Sequence, residues 1–463
     1  MSTIIKSGVS SEVATVDSTY KALHVLPKGI TDVAFNHTDF TLDSFERVRV
    51  SEVRNQFEFN FGSILTSTAT SIWESTAVAS GTQALTTNLY GTELNTLTTS
   101  GSGYWIQSYQ HIRYAPGVST LLRFTFSFNT LLTNVRQRVG MFTDQGTFPS
   151  TAGDGLYLEA DGSTISVVRR YMTTGGAGAE ERIAQASWNM DKLNGTGTSG
   201  INLDWEKPQH LVIEYQWLGV GTIRFGFETG SGGVIWAHEM VSVNNLTVPW
   251  SRTGSLPVRA EIIANGTLAV AGKLTLINVV VQQEGDVLDY RGWRYFGANS
   301  GTTVRTVGTA AGFFPIMSLR PISTNDLTKR AKIVPTSIDI TIATAGTGTT
   351  SIQVALLMLP TPNTGATFAV NPAGSACSVD IAATATTAVT GTTIWNATLP
   401  NVAGTYRFDL NLMKDNMNQQ GYNAAGTVAI TGSSVLTLGL GTLTGTTTVA
   451  PAVAASINWK ELI

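Results

Sequence analysis

The sequence predicts an all-β protein: an antiparallel β-sandwich of jelly-roll type over residues 41–290, followed by a second, smaller β-sandwich over 291–463. An N-terminal arm precedes them at 1–40. Three observations lead there. Large apolar side chains recur at every second residue in short runs. Turn signals such as TAGDG, EADGS, TGSGG and ANGT separate the runs, and helical periodicity is nearly absent. Only short helical turns near Trp73 to Leu85 and Asp415 to Tyr422 depart from the β pattern.

Taken in order, residues 1–40 carry few strand signals and read either as an arm that reaches a neighbour or as a frayed terminus. Phe57, Phe59 and Phe61 alternate, as do Leu122, Phe124, Phe126 and Phe128, so each set marks one buried face of a strand. The clearest hairpin is HLVIEYQWLGVGTIRFGFETGSG, from His210 to Gly232. Leu211, Ile213, Tyr215 and Trp217 share one face, and Ile223, Phe225 and Phe227 share another. A three-residue loop, Gly219-Val220-Gly221, with a glycine for the left-handed position, would pair Trp217 with Ile223, Tyr215 with Phe225 and Ile213 with Phe227. Leu274 and Leu276 fall in one phase, with Ile277, Val279 and Val281 in the other. A break follows near Asp286 to Gly312. Beyond it Ile338, Ile340 and Ile342 alternate, as do Tyr406, Phe408, Leu410 and Leu412. ATAGTGTTS and TATTAVTGTT read equally well as linkers or as loops between strands.

Composition narrows the function. The 463 residues suffice to bury substantial cores, and only 13% are charged, so the surface is mostly neutral and polar. With 29 basic and 32 acidic residues the formal net charge is -3, and no basic run tracks a phosphate backbone, which argues against nucleic acid. The single cysteine, Cys377, forms no intrachain disulfide and reads as a small buried hydrophobe. The opening residues lack a signal-peptide pattern and no apolar run is long enough to span a bilayer, so the expectation is a soluble chain without membrane insertion.

Motifs for chemistry are weak. Asn194 to Gly200 contains a G-x-G-x-x-G spacing, but Ile201-Asn202-Leu203-Asp204-Trp205 follows instead of a helix, so a tight loop is expected and no cofactor. His24, His37, His111, His210 and His238 stand far apart, with no zinc-ligand spacing. No nucleophile elbow occurs, and Cys377 has no evident base. Paired carboxylates for sugar cleavage could come from Asp154, Glu159 and Asp161 or from Asp204, Glu206 and Glu214, and oxygen ligands for calcium from Asp144, Asp154 or Asp161. Aspartates beside glycine more often serve turns, and the expectation is no catalytic and no metal residue. Trp73, Tyr104, Trp105, Trp293 and Tyr295 lie near glycine-rich or polar stretches and are the candidates for exposed, glycan-contacting rings, although packing is the favoured reading even for these.

Several stretches together resemble a widespread family of virion structural proteins of tailed bacteriophages. They are SFERVRVSEVRNQFEF (Ser44 to Phe59), YQHIRYAPGVSTLLRFTFSF (Tyr109 to Phe128), RVGMF (Arg138 to Phe142), DGLYLEADG (Asp154 to Gly162), SWNMDKLNGTGTSGINLDW (Ser187 to Trp205), EYQWLGVGTIRFGF (Glu214 to Phe227), LPVRAEI (Leu256 to Ile262) and the closing INWKEL. The match covers about residues 40 to 290, and the tail matches more loosely. YAPGVS stands where relatives more often carry a Lys before the Ser, and NGTG replaces an acidic-Gly form. The resemblance implies a non-enzymatic fibre, head-decoration or tail-associated subunit, assembled in the host cytoplasm and localised to the virion. Its partners would be other virion proteins and further copies of itself, with a trimer favoured. The alternatives are a host-surface glycan or receptor-binding module and, behind it, a polysaccharide depolymerase.

Overall fold

The computed structural model describes residues 3–6, 13–17, 22–24 and most of 53–462; the longest stretches outside it are 25–52, 63–72, 285–293, 322–331, 360–365, 382–387, 411–434 and 443–448. The chain divides into two units, Met1–Val50 and Ser51–Ile463. In the first, β1 (Thr3–Lys6), β2 (Val13–Asp17) and β3 (Ala22–His24) form a three-stranded antiparallel sheet, where few strands were expected.

The second unit holds the remaining strands. The first group is β4 (Val53–Asn60), β5 (Trp73–Val78), β6 (Thr82–Thr86), β7 (Gly91–Asn95), β8 (Gly103–Ile112), β9 (Thr120–Ser127), β10 (Val135–Phe142), β11 (Gly155–Asp161), β12 (Thr164–Met172), β13 (Gly178–Ala184), β14 (Gln209–Tyr215), β15 (Ile223–Glu228), β16 (Val234–Met240), β17 (Leu256–Ala264) and β18 (Lys273–Glu284). They build a seven-stranded sheet, β13-β12-β11-β10-β17-β8-β5, and an eight-stranded sheet, β16-β15-β14-β9-β18-β7-β6, with β4 also paired to β18. Every strand pairing is antiparallel, and one core runs between the sheets from Phe57 to Val281. The second group is β19 (Arg294–Asn299), β20 (Arg305–Thr306), β21 (Phe314–Pro321), β22 (Lys332–Thr344), β23 (Ser351–Leu359), β24 (Cys377–Asp380), β25 (Thr392–Pro400), β26 (Gly404–Asp409), β27 (Val435–Thr442) and β28 (Ala452–Leu462). These form β19-β28-β22-β26, with β20 on β28, and β24-β21-β27-β23-β25, around a separate core from Val307 to Trp459. Among the described residues, no helix is long and apolar enough to cross a membrane. The fold is thus all-β and sandwich-like.

Three local expectations change. In the hairpin, Leu211 pairs with Phe227, Ile213 with Phe225 and Tyr215 with Ile223, two residues away from the expected register. The faces are unchanged, because a slip of two preserves a period-two pattern. The longer loop is held by the Gly221 N–H on the Trp217 carbonyl at 2.7 Å, and a Cβ on Gly221 would lie 1.7 Å from the Gln216 carbonyl oxygen. Trp217 leaves the ladder, donates Nε1–H to the Ser251 carbonyl at 2.8 Å and packs edge-on against Tyr114.

In β18 the phase break at Ile277 is a β-bulge: pairing with β9 skips from Leu276 to Asn278. Leu274, Leu276, Val279 and Val281 therefore all enter the same core. Trp73–Val78 and Thr82–Thr86 are strands, not helical turns, while 415–422 lies outside the described residues. Of ATAGTGTTS, Ala343 and Thr344 end β22 and Ser351 begins β23, while 349–350 lie outside the described residues.

Candidate functional site: a buried charged face on the seven-stranded sheet

Alternation sends Val139, Met141, Leu156, Leu158 and Ala260 from the seven-stranded sheet into the core, and it turns their neighbours to the opposite face. There the register aligns polar residues in rows across the strands. One row runs Trp105, Glu261, Arg138, Glu159. The next runs Glu74, Gln107, Arg259, Gly140, Tyr157, Val168, Arg182. A third runs Phe142, Gly155, Arg170, Glu180.

Within these rows the charges neutralise one another. Arg138 reaches Glu159 at 2.7 Å, Glu261 at 3.0 Å and Glu180 at 3.5 Å. Arg259 reaches Glu261 at 2.9 Å, Asp144 at 3.2 Å and the Gln107 side-chain oxygen at 3.0 Å. Arg170 holds Glu180 at 2.8 Å and Asp144 at 3.5 Å, and donates to the Thr143 carbonyl. Arg182 closes the network on Glu159 and Glu180, and the Tyr157 hydroxyl donates to Glu180 at 2.6 Å. Aromatic rings fill the spaces: Arg138 and Arg170 lie over Tyr157 at 5.0 and 5.2 Å, and Arg259 over Trp105 at 4.5 Å.

Burial and pairing set the protonation states. Burial disfavours ionisation of Glu261, yet Arg259, Arg138 and Arg170 outweigh it and hold its carboxyl near 2. Glu159 and Glu180 are likewise buried, and their arginine neighbours hold both below the usual carboxylate range. Two carboxyls go the other way. Burial lifts Asp144 to about 6 and half-buried Glu74 to about 7, in each case against the pull of Arg259. Among the described residues, the Oε2 of Glu74 has no hydrogen-bond partner. Arg138, Arg170, Glu159 and Glu261 are fully or almost fully buried. The face is therefore filled with its own ion pairs, and its chemical capacity is to lock strand register.

No family model matches this chain. No curated protein matches it either. Among solved structures, it is similar to a Bacteroides ovatus mixed-linkage glucan GH16 protein in complex with a product, at 9% identity and a TM-score of 0.33, over 49% of this chain and 99% of that one. It is also similar to the Emp47p carbohydrate recognition domain, at 10% identity and a TM-score of 0.28, over 46% and 89%. A third is a carbohydrate esterase of the Shiga toxin-encoding bacteriophage phi24B, at 7% identity and a TM-score of 0.28, over 50% and 100%. Likenesses this distant carry no argument about activity.

The ring candidates do not come together. Trp73 is a core residue, 5.5 Å from Phe57 and 5.2 Å from Phe61 between ring centroids, and Tyr104 is buried with its hydroxyl 3.4 Å from Ser75 Oγ. Trp105 is buried under Arg259. All three sit on strands whose alternation faces packed layers, so packing holds for them and their candidacy as glycan contacts is corrected. Tyr295 is exposed, and Trp293 lies outside the described residues.

The carboxylate candidates are dispersed as well. Glu159 belongs to the network above; buried Asp154 pairs with Arg252 at 2.9 Å; Glu214 lies on β14 of the other sheet; exposed Asp204 pairs with Lys207 at 3.0 Å; Asp161 ends β11 and Glu206 is exposed. Asp144 and Asp154 face arginine guanidiniums, and among the described residues no group of three or more His, Cys, Asp or Glu could hold a metal.

The glycine-rich loop is a loop built on Asp191: the backbone N–H groups of Leu193 and Ser199 donate to its carboxylate at 2.9 and 2.7 Å. A Cβ on Gly197 would lie 1.9 Å from that carboxylate, so the spacing serves a turn. Sequence reasoning passed over Arg138, Arg170, Glu180, Arg182, Arg259 and Glu261. For Arg259 and Glu261 the signal was charge at period two between apolar positions, in VRAEI.

Proposed function

We propose that the chain is a structural subunit of a bacteriophage particle, a fibre, head-decoration or tail-associated protein that works by assembly and adhesion without catalysis. The observation that carries this reading is the closed ion-pair network. Arg138, Arg170, Arg182 and Arg259 bind Glu159, Glu180, Glu261 and Asp144, so the most polar face of the large sandwich is engaged in holding the sheet. Such a network favours a rigid building block, and the phage-like stretches of sequence supply the context. A homo-oligomer, with a trimer favoured, would cover strand edges such as β5 and β6.

Peptide mass spectrometry and image reconstruction of purified particles test it. The chain should be present in fixed copy number, and the isolated protein should sediment as an oligomer. A chain absent from intact particles and monomeric in solution overturns the proposal. A depolymerase would instead release reducing ends from host polysaccharide, and lose that activity in Asp154→Asn or Glu159→Gln.

A second reading, a glycan-binding module, is favoured by one observation: the ring of Tyr295 is 73% exposed on a regular strand.

A further inference from the structure

The sheet faces turned away from the two sandwich cores differ in kind. On the seven-stranded sheet that face is filled by the ion-pair network. On the eight-stranded sheet fixed charges pair, Arg123 with Glu228 at 3.0 Å and Arg224 with Glu239 at 2.7 Å, and the His210 imidazole lies 2.9 Å from the Glu228 carboxylate. On the sheet β24-β21-β27-β23-β25, Ala355, Leu357, Leu359 and Val435 are buried beneath Phe313, Phe368 and Val389. The sheet β19-β28-β22-β26 is different.

Its outward rows together carry two basic residues, Lys460 and Arg407, and two acidic ones, Asp339 and Asp409. Tyr295 stands beside Lys460. Gly297, Asn458, Ser337 and Asp409 form the next row, then Asn299, Ser456, Asp339 and Arg407, then Thr341 and Thr405. Phe296, the neighbour of Tyr295, faces inward and stacks on Trp459 at 6.1 Å, which anchors the edge strand and leaves the tyrosine ring outside.

The polar groups are fixed by one another. Asn458 donates Nδ2–H to Ser337 Oγ at 3.0 Å, Ser456 donates to Asp339 at 3.1 Å, and Thr341 and Thr405 share a hydrogen bond at 3.0 Å. Asn458 Oδ1 leans over Gly297, where a Cβ would come within 2.4 Å of it, so a side chain there would force the Asn458 amide to shift. Arg407 stands 4.0 Å from Asp339 and 3.3 Å from Asp409.

We propose that this face is a binding platform for a neutral oligosaccharide chain, which stacks one sugar on Tyr295 and runs across Asn458, Ser456 and Asp339 toward Arg407. A sugar presents a C–H face that packs on an aromatic ring and hydroxyls that both donate and accept. The face offers that pairing: one exposed ring, then an amide, hydroxyls, a carboxylate and a guanidinium already held in place, which lowers the ordering cost of binding. Lys460 and Arg407 balance Asp339 and Asp409, so a polyanion gains little here. Tyr295 is the sole large exposed hydrophobic in these rows, too small an apolar area for a protein interface core. From β19 to β26 the platform crosses three strand spacings, about 14 Å, room for a short run of sugars.

The test uses the full-length chain in affinity electrophoresis against dextran, levan and lipid-free O-antigen polysaccharides, with hyaluronan as the acidic comparison. At least one neutral polysaccharide should retard the protein. Tyr295→Ala should weaken that binding about tenfold, as loss of a ring contact predicts. Asp339→Asn and Asn458→Ala should weaken it several-fold, and Tyr90→Ala, which removes a ring 79% exposed on the large sandwich, should leave it unchanged. No retardation by any neutral polysaccharide overturns the proposal, as does retardation by hyaluronan alone or binding that Tyr295→Ala leaves unchanged. A chain that binds no sugar yet occupies intact particles sinks this inference and leaves the structural role standing.

Discussion

Nε of Arg138 lies 2.7 Å from Oε2 of Glu159, across directly opposed positions of β10 and β11, and neither side chain has more than 2% of its surface exposed. The pair sits at the centre of the ion-pair network. Removing one partner of a buried pair leaves the other charge dry and uncompensated, which costs about 3–5 kcal/mol, whereas replacing both by apolar groups is often neutral. Glu159→Gln and Arg138→Met should each lower the unfolding free energy in denaturant titrations by that order. The double variant should lose less than their sum. Strictly additive losses would show that the two residues act independently.

The network also predicts acid sensitivity. Glu159, Glu180 and Glu261 have folded-state values below the ordinary carboxylate value of 4.5. Their stabilising contribution is complete above that value and is lost as pH falls through the folded values, near 2 for Glu261. Unfolding free energy measured from pH 6 to pH 2 should fall steadily over the lower part of that range, and the fall should be shallower in Glu261→Gln. An unchanged slope would remove Glu261 from the account.

Glu74 carries the opposite sign. Its carboxyl is raised from 4.5 to about 7, so the folded state holds the proton more tightly and stability declines as pH rises between those values. Glu74→Gln should flatten the melting temperature across pH 5 to 7 and raise it at pH 8. A variant less stable than the parent at pH 8 would mean that the ionised carboxylate is a favourable partner of Arg259.

His238 offers a local readout. Its Nδ1 accepts the Asn189 N–H at 3.1 Å, and the Asn189 side chain bridges to both backbone groups of Glu239, pinning this loop to the edge strand β16. Burial holds the imidazole below its ordinary value of 6.5, against the carboxylates of Glu181 and Glu239. Stability is present above 6.5 and falls as the ring protonates, since a protonated Nδ1 cannot accept. Hydrogen exchange corrected for intrinsic rates should show protection of Asn189 to Asp191 falling between pH 7.5 and 5. Constant protection would show that Asn189 is held by its other bonds.

Trp73 and Tyr295 separate core from surface. Trp73→Ala should cost about 3–5 kcal/mol, because its ring packs against Phe57, Phe59 and Phe61. Tyr295→Ala should change stability by no more than about 0.5 kcal/mol. Comparable losses would place Tyr295 under cover.

Alternation along the chain determined what each strand buries: Phe124, Phe126, Ile213, Tyr215, Phe225 and Phe227 all lie in the core that their spacing implied. A period of two carries no information about slips of two, however, so the hairpin register waited on the loop that the Gly221 N–H closes on the Trp217 carbonyl. Nor does it predict the compensation at Ile277, where one bulged residue returns Val279 and Val281 to the face of Leu276.

The candidate site was less legible, for a physical reason. Arg138, Glu159, Arg170, Glu180, Arg259 and Glu261 come from five strands spread over more than a hundred residues, and each alone reads as a solvent-facing charge. Only strand order sets guanidinium opposite carboxylate, and only packing over that face removes the water. The chain by itself thus specified which side of each strand is apolar, since that depends on neighbours in sequence. Tertiary structure decided which charges meet and which rings stay outside, because both depend on strands that are distant in sequence and adjacent in space.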